Sequence, residues 1–516
     1  MCKTSAGIPP KYWLFIIVLA GAAIRLTADW VQPAFIDEGF VYYVTKAGWR
    51  AMVDVLRYDT HTPVHNVLMY PWVCATDSIF WLRLPSALCG LGAVVLSYHL
   101  ARRYCSAGTS LALSAFMALS YNVWLADAQL RNYGPLTLLC TVQLLCCSDI
   151  YRRGAPFADL PWSRLRWPLY ALTALLCSGI HVLGALTQSV MALFSFWLPS
   201  PAKKNLLVTS ILAVLPCILW FTVCRSSSDL AMVHEETREY ALQFCFTPLY
   251  LLNLKSPNDL VNYFGHYLPG ETIVPFILPA YLLFNGLFWL VLLYSWYKLV
   301  RRWKWEGWLL GGVFFLPQLE VLLSCLLGMQ PYSPRYAVPM TISFLLLCEQ
   351  WDSEKLKLSF RQLALGWTVF LCLIFPFFPP LWLQYWQGAI DFIEAKSQPG
   401  DIVLLYNPGI SYSFVWAYDP QGAYYEFSHD SGYHSALRQR PESPKLTCLP
   451  LSESLLTEDF LRSVKDRRVF LVLCQRFQGD HSLELLDKRF KIADSYKFSS
   501  LTSWAEADVF LLENVP

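Results

Sequence analysis

Long apolar runs dominate this sequence, and they constrain its fold more than any other feature does. A helix needs about 20 mostly apolar residues to cross a bilayer. Charged residues make up only 15% of the chain, whereas hydrophobic residues make up 55%, a composition typical of a membrane protein. The sequence therefore predicts an α-helical polytopic membrane protein with about eleven transmembrane helices, at residues 12–29, 83–101, 107–124, 133–150, 167–182, 184–199, 206–224, 273–297, 307–328, 335–350 and 363–384.

The distribution of basic residues predicts how these helices are oriented. If the amino terminus is cytoplasmic, seventeen lysines and arginines fall in the inner segments, and the short outer connections hold only Arg131 and Arg335. Basic residues near transmembrane helices favour the cytoplasmic side. Two longer loops, about 30–82 and 225–272, are then predicted on the outer face. The formal net charge of +2 gives no indication of a nucleic acid partner.

The last 130 or so residues differ in character from the rest of the chain. They are more charged, and they alternate strand-like pieces at 402–406, 469–474 and 508–512 with helix-like pieces at 451–464 and 482–490. This alternation predicts a small α/β domain. We therefore divide the chain into a transmembrane domain, 1–384, and an extracytoplasmic domain, 385–516.

Two adjacent carboxylates, Asp37 and Glu38, follow the first apolar run directly. They lie in a stretch rich in aromatic residues, at a predicted membrane surface. Carboxylates at such a position are costly to desolvate and indicate a functional site when they face protein or a wet cavity. The alternative is that the pair simply begins a helix, where negative charge is favourable.

Four further polar features fall on the predicted outer face. His61 begins a polar segment ahead of a short apolar helix at 64–73, which is too short to span and is predicted to lie in the interface. The others are the segment from Asp127 to Tyr133, His181 at the end of a span, and the segment 333–336. Each has a simpler interpretation, because interfacial histidines are common and arginines anchor helices at membrane surfaces.

Taken in order, these residues resemble the GT-C superfamily, the membrane-integral glycosyltransferases that use polyprenyl-phosphate sugars. The protein O-mannosyltransferases, the aminoarabinose transferases and the glycosyltransferase 39-like proteins belong to it. The matching segments, which extend over residues 12 to about 340, are Ile36-Asp37-Glu38, His61-Thr62-Pro63, Arg83-Leu84-Pro85-Ser86-Ala87-Leu88, Arg102-Arg103, Gln129-Leu130-Arg131-Asn132-Tyr133, His181, and Arg335-Tyr336 with Pro339. Two positions depart from the family pattern: Gln129 replaces a common acid, for which Asp127 is a substitute, and Thr62 replaces a proline.

The resemblance implies a polyprenyl-phosphate-linked sugar donor, an acceptor hydroxyl on a lipid, glycan or protein, and inversion at the anomeric carbon. It suggests Asp37 as the catalytic base, with Glu38 orienting it or helping to hold a divalent metal ion. Arg131 and Arg335 are the candidates for the phosphate clamp, because guanidinium groups grip two phosphate oxygens at once. The remaining candidates are Tyr133 and Tyr336, which are also expected to bind the donor phosphate, and His61, His181 and Asp127 as an additional site. The family variant favours a bacterial inner membrane.

Two other functions remain open from the sequence. A lipid-linked sugar flippase or polysaccharide exporter would share the many spans, although transporters place ionisable residues at mid-membrane. Here the charges cluster at the outer rim, with Arg25 as the nearest exception. A membrane sensor is the second alternative, but no cytoplasmic output domain follows any span.

Overall fold

The structure is a computed structural model of the 516-residue chain. It describes residues 8–31, 34–57, 62–151, 165–196, 202–224, 244, 246–252, 270–326, 334–350, 366, 386–406, 410–419, 425–427, 437–439, 446–451, 455–464, 467–473, 486, 490–496 and 508–514.

Among the residues described up to 350, the elements of regular secondary structure are helices. In chain order they are α1 (Pro10–Val31), α2 (Ile36–Lys46), α3 (Trp49–Leu56), α4 (Val64–Ala75), α5 (Ile79–Ala101), α6 (Ala107–Leu119), α7 (Tyr121–Asp127), α8 (Tyr133–Tyr151), α9 (Arg166–Ile180), α10 (Val182–Ser195), α11 (Ala202–Leu219), α12 (Gly270–Trp303), α13 (Trp305–Leu326) and α14 (Thr341–Glu349). A short π-helix, Trp220–Cys224, continues α11, and a 3-10 helix, Pro334–Met340, leads into α14.

Six of the described helices are long and apolar enough to cross a membrane, namely α1, α5, α8, α11, α12 and α13. The pair α6 and α7 would make a seventh span, bent by 59° where the sequence predicted one straight helix at 107–124. Many large apolar side chains of these helices are exposed, as lipid contact requires. The chain is therefore an integral membrane protein.

The other predicted spans have different outcomes. α9 and α10, with 15 and 14 residues, are shorter than a full crossing, and the predicted span 335–350 is a 3-10 turn followed by a nine-residue helix. All of the predicted span 363–384 except residue 366, and most of the predicted loop 225–272, lie outside the described residues. The count of eleven spans therefore stays a prediction.

Between α1 and α5, the described residues of the predicted outer loop 30–82 contain three short helices, α2, α3 and α4. The last of these contains the apolar helix predicted at 64–73. A hydrogen bond from Asn66 Nδ2 to Thr45 Oγ1, 3.0 Å long, joins α4 to α2. The acid pair is thus carried by a packed helical element rather than by an extended loop.

The C-terminal part is α/β, as the sequence predicted. Its helices are α15 (Trp386–Lys396), α16 (Ile410–Tyr418) and α17 (Glu458–Ser463), and its strands are β1 (Asp401–Tyr406), β2 (Tyr425–Phe427), β3 (Leu437–Gln439), β4 (Leu446–Pro450), β5 (Val469–Leu473), β6 (Phe490–Tyr496) and β7 (Asp508–Asn514). The main sheet has the order β4-β1-β5-β7-β6, with β4, β1 and β5 parallel and β7 antiparallel to both of its neighbours.

Two large hydrophobic clusters organise the described residues. One lies among the membrane helices. The other is shared between the outer helices and the C-terminal sheet, since it joins Phe40, Tyr43 and Met69 to Trp386 and Phe470. The C-terminal part is therefore packed onto the outer helices through a common core.

Candidate active site

The acid pair lies in the first turn of α2. The helix begins at Ile36, with Phe35 in extended conformation as the N-cap residue. Glu38 Oε2 accepts a hydrogen bond from Phe35 N at 2.8 Å, so the Glu38 side chain caps the start of its own helix. Negative charge is favourable at this place because the free N–H groups of a helix start carry partial positive charge. The interpretation that Asp37 and Glu38 begin a helix is therefore correct for their local structure.

Glu38 is fully buried and bound by four donors. Arg83 donates from Nε to Oε1 at 2.8 Å and from Nη2 to Oε2 at 2.6 Å, a two-pronged contact between α2 and α5. Phe35 N supplies the third donor and Leu130 N, 2.6 Å from Oε1, the fourth. Glu38 therefore joins α2, α5 and the connection between α7 and α8, and its oxygens are engaged with protein donors rather than presented beside Asp37.

Asp37 has different surroundings, between two arginines that are distant in the sequence. Its Oδ2 lies 3.2 Å from Arg335 Nη1 and 3.5 Å from Arg131 Nη2. The side chains of Asp37, Arg335 and Arg131 keep 26%, 31% and 10% of their surface exposed, so the cluster is partly open. The structure thus brings together the acid near the amino end and the two guanidinium groups that the sequence selected.

Aromatic side chains and a histidine lie beside this cluster. The side chain of Tyr133 is buried and lies beside Arg131. The ring of His181 lies 6.1 Å from that of Tyr133 and 5.5 Å from that of Tyr336, measured between centroids. His181 occupies the break between α9 and α10, where its Nδ1 accepts a hydrogen bond from Leu183 N at 3.0 Å. His181 therefore lies between the two predicted tyrosines, Tyr133 and Tyr336, in the neighbourhood of the two arginines.

The guanidinium group of Arg335 also contacts an aromatic ring. The Arg335 guanidinium carbon lies 5.9 Å from the centroid of the Phe35 ring. Arg335 itself belongs to the 3-10 helix that precedes α14. The N-cap residue of the acid-bearing helix thus also supports the cation opposite Asp37.

Asp127 has a different partner. Its Oδ2 accepts from Arg25 Nη2 at 2.8 Å, and both side chains are buried. Arg25 also donates to the carbonyl of Ala118 at 2.8 Å. A Cβ atom at Gly90 would overlap the Asp127 side chain, so glycine is needed there for α5 to pack closely against Asp127. The predicted substitute carboxylate is thus engaged in an interhelical ion pair of α1, α6 and α7.

His61 lies outside the described residues, but the next residue, Thr62, is described. Thr62 Oγ1 donates to the carbonyl of Gly179 at 2.5 Å, and Thr62 is buried. Gly179 is the second residue before His181. The segment that departs from the family's paired prolines is therefore tied to the end of α9.

The helix that carries Asp37 also packs against α16 of the C-terminal part. A Cβ atom at Gly39 would lie 2.7 Å from the Tyr412 carbonyl carbon and 2.7 Å from Ser413 N, so only glycine permits this approach of two backbones. Tyr42 stacks on Trp416 with a centroid distance of 4.4 Å and an interplanar angle of 6°. Burial first, and then the neighbouring Tyr43 and Asp419, raise the pKa of Tyr42 above its ordinary value, so the phenol stays neutral.

Sequence reasoning missed three contributors to this region. Arg83 was noticed as part of a family motif, but its contact with Glu38 was not predicted. Arg25 was noticed only as a charge inside a span. The tight contact at Gly39 had one available signal, a glycine within the first two turns of a predicted helix, where it lowers helix propensity and so indicates a packing requirement.

A metal site was an open possibility from the sequence. Among the residues that the structure describes, no three of His, Cys, Asp and Glu come together as a metal-binding group.

Fold and site together define an integral membrane protein with a carboxylate and two arginines at one end of its helical bundle, covered by a C-terminal α/β unit.

No protein-family description matches the sequence, and no curated protein matches it. Among solved structures, ArnT from Cupriavidus metallidurans in the apo state is similar over 97% of this chain and 98% of its own, with 12% identity and a TM-score of 0.48. The Archaeoglobus fulgidus oligosaccharyltransferase complexed with zinc and sulfate is similar over 98% of this chain and 75% of its own, with 12% identity and a TM-score of 0.47. ArnT bound to undecaprenyl phosphate gives 13% identity and a TM-score of 0.39 over 97% of this chain and 98% of its own.

Proposed function

We propose that this chain is an integral-membrane glycosyltransferase that moves a sugar from a polyprenyl-phosphate donor to an acceptor hydroxyl. The observation that carries the proposal is the position of the Asp37 carboxylate between Arg131 and Arg335. Sugar transfer from a lipid phosphate needs a proton acceptor on one side of the anomeric carbon and positive charge on the other. The cluster contains both kinds of group within a few ångströms.

In the proposed reaction the donor phosphate binds to the two guanidinium groups. It thereby replaces the contacts that they make with Asp37, whose carboxylate is left beside the sugar. The acceptor oxygen forms a bond to the anomeric carbon as its hydroxyl proton passes to Asp37. The bond from that carbon to the phosphate oxygen breaks, and its electron pair leaves with the lipid phosphate, where Arg131 and Arg335 stabilise the added charge.

Other residues of the site serve this arrangement indirectly. Glu38, held by Arg83, fixes the first turn of α2 and so positions Asp37. The buried hydroxyl of Tyr133 lies beside Arg131. The ring of His181 lies against those of Tyr133 and Tyr336, and we expect these rings to limit the space around the phosphate. We place the site on the outer face of a bacterial inner membrane, with the amino terminus cytoplasmic and a lipid, glycan or protein as acceptor.

The test of Asp37 uses the full-length protein in vesicles with a labelled polyprenyl-phosphate sugar and an envelope extract as acceptor source. A general base contributes about 100- to 10,000-fold to a rate, so Asp37→Asn should lower the rate of transfer by at least about 100-fold while donor binding persists. Asp391→Asn, at an exposed carboxylate on α15, is the matched control and should be unaffected. Full activity of Asp37→Asn would remove the residue from this role, and label that crosses the bilayer without transfer would favour a flippase.

The clamp is tested through donor affinity in the same preparation. Hydrogen bonds to charged groups contribute about 1.5–3 kcal/mol, so Arg335→Ala should weaken donor binding by about 10- to 100-fold. Arg335→Lys should restore part of that loss, because the charge remains while the planar fork is gone. Arg57→Ala, at an exposed arginine after α3, is the control. Equal donor affinity in Arg335→Ala and in the unmodified protein would contradict the clamp.

A further inference from the structure

A cavity of about 830 Å³ lies at the opposite end of the helical bundle from Asp37, and the proposed function does not use it. α5 shows the separation, because Arg83 near its start binds Glu38, and Tyr104, just beyond its end, lines the cavity. α5 has 23 residues. At a rise of 1.5 Å per residue it extends about 34 Å, which is the thickness of a membrane core. The cavity and the Asp37 cluster therefore lie at opposite membrane surfaces.

Basic side chains dominate the charged lining of this cavity. Lys298, Arg301 and Arg302 contribute positive charge at the end of α12, and Glu349 at the end of α14 contributes one carboxylate. Lys298 Nζ is anchored to the carbonyl of Gln350 at 2.8 Å. With all four groups ionised, the lining carries two net positive charges, which favours an anion.

Aromatic rings hold these cations at the mouth of the cavity. The Arg301 guanidinium lies 6.0 Å from the centroid of Tyr297, and that of Arg302 lies 5.6 Å from the centroid of Trp303. Arginine stacked in this way keeps its N–H groups available for phosphate oxygens. Tyrosine and tryptophan are typical of the level at which lipid headgroups lie. The cluster is thus at headgroup depth and suited to a phosphate.

An exposed apolar stripe on α12 leads from the membrane to this cluster. Its residues follow the four- and three-residue spacing of one helix face and end one turn before Arg301: Leu283, Leu287, Leu290, Tyr294 and Tyr297. Such a stripe on a transmembrane helix faces lipid chains. A soluble anion would bind to the basic cluster alone. A lipid would bind to the basic cluster through its headgroup and to the apolar stripe through its acyl chains.

We propose that this cavity binds the headgroup of an anionic phospholipid, with its phosphate at Lys298, Arg301 and Arg302 and its acyl chains along the stripe of α12. The site is distinct from the Asp37 cluster, and it does not depend on the chemistry proposed there. Juxtamembrane lysine and arginine clusters attract the anionic lipids of the cytoplasmic leaflet. Because the cavity lies between α12, α14 and the end of α5, a bound headgroup would link these three helices.

The test titrates the purified full chain in a neutral detergent with phosphatidylglycerol, phosphatidylcholine and glycerol 3-phosphate, and native mass spectrometry counts the bound molecules. Phosphatidylglycerol should bind to a saturable site at concentrations where phosphatidylcholine does not. Glycerol 3-phosphate should compete poorly, because it lacks the chains that the stripe would hold. Equal binding of both phospholipids, or competition by glycerol 3-phosphate at matched concentrations, would overturn the proposal.

A charge variant adds a second readout. A basic residue near a membrane surface adds about fivefold to the affinity for anionic lipid, so Arg301→Gln with Arg302→Gln should weaken phosphatidylglycerol binding about 25-fold. Both side chains are exposed, so the fold should persist. The control is Lys203→Gln with Lys204→Gln, a basic pair at the start of α11 that does not line the cavity. Unchanged phosphatidylglycerol binding in the arginine variant would exclude the cavity as the site.

Discussion

Asp37 and Glu38 are adjacent in the chain but have opposite surroundings. Glu38 points into the protein, where Arg83 and two backbone N–H groups bind it, and Asp37 points to the partly open space between Arg131 and Arg335. Successive helical residues are about 100° apart around the axis, so a pair at the start of a helix can serve two purposes at once. One carboxylate secures the helix, and the other pairs with two arginines in a partly open cluster.

The stability of this arrangement depends on the pairing of Glu38 with Arg83. Removal of one member of a buried ion pair costs about 3–5 kcal/mol, since it leaves an uncompensated charge, so Arg83→Met should clearly lower the unfolding temperature in detergent. The double variant Glu38→Gln with Arg83→Met should recover most of that loss. Arg50→Met, at an exposed arginine in α3, is the control.

A double-mutant cycle decides between a pair and two independent residues. If the effects of Glu38→Gln and Arg83→Met on unfolding simply add, the two side chains are not energetically coupled, and the positioning role of Glu38 is wrong.

The contact of α2 with α16 connects two elements that are about 370 residues apart in the chain. Gly39 permits it, because its missing side chain leaves room for the backbone of Tyr412 and Ser413. Phe40 and Tyr43 then reach the ring of Tyr412, with centroid distances of 5.5 Å and 6.4 Å. The C-terminal part therefore packs directly against the helix that carries Asp37.

Gly39→Ala tests whether this contact affects the site. The added methyl group would meet backbone atoms at 2.7 Å, so α2 and α16 must move apart, and Asp37 moves with α2. A displacement of about 1 Å can lower a rate about 100-fold, and we expect a marked loss of sugar transfer with little loss of folded protein. The measurement is the turnover rate beside the unfolding temperature.

Gly108→Ala is the matched control, because a Cβ atom at Gly108 meets nothing within 4 Å and alanine favours a helix. A normal turnover rate in Gly39→Ala would show that the spacing of the two helices does not control the site.

Helices and strands were predictable from the sequence to the extent that hydrophobic pattern determines them. The predicted strands at 402–406, 469–474 and 508–512 correspond to β1, β5 and β7, whose apolar runs are continuous or nearly so. β6 was missed because it is an edge strand with mostly exposed residues, and such a strand has little hydrophobic signal. The bend between α6 and α7 was missed because Ser120 gives no strong break in the apolar run.

The site was predictable only in part, for a different reason. The family resemblance selected Asp37, Arg131 and Arg335, and the structure places these three together. The ion pairs of Glu38 with Arg83 and of Asp127 with Arg25 join helices far apart in the sequence, and no local pattern specifies such partners. Propensity and periodicity describe one element at a time, so contacts between elements need the fold.

For the whole molecule, the main feature is the shared core between the outer helices and the C-terminal sheet. Trp386, Phe414 and Phe470 of the C-terminal part and Phe40 and Met69 of the outer helices belong to the same hydrophobic cluster. Removal of a unit that shares its core would expose the apolar face of the remaining part, so we expect the C-terminal part to stabilise the outer helices.

Deletion of 386–516 is therefore expected to loosen α2 as well as to remove a domain. Hydrogen exchange measured by mass spectrometry should show faster exchange of the α2 amides, and sugar transfer should be lost. Asp459→Asn, on the exposed face of α17, serves as the control for a change within the same unit. Unaltered exchange in α2 together with unaltered turnover would show that the C-terminal part is only a cover.

The position of α16 also has a consequence for biosynthesis. A ribosome that adds about 5–20 residues per second needs about 20 to 70 seconds to proceed from α2 to α16. During that interval the aromatic face of α2 has already been synthesised, but the helix that packs on Gly39 has not. A nascent chain in the translocon therefore lacks this contact, and if the proposed function is right we expect competence for transfer only after α16 has been synthesised and has packed on α2.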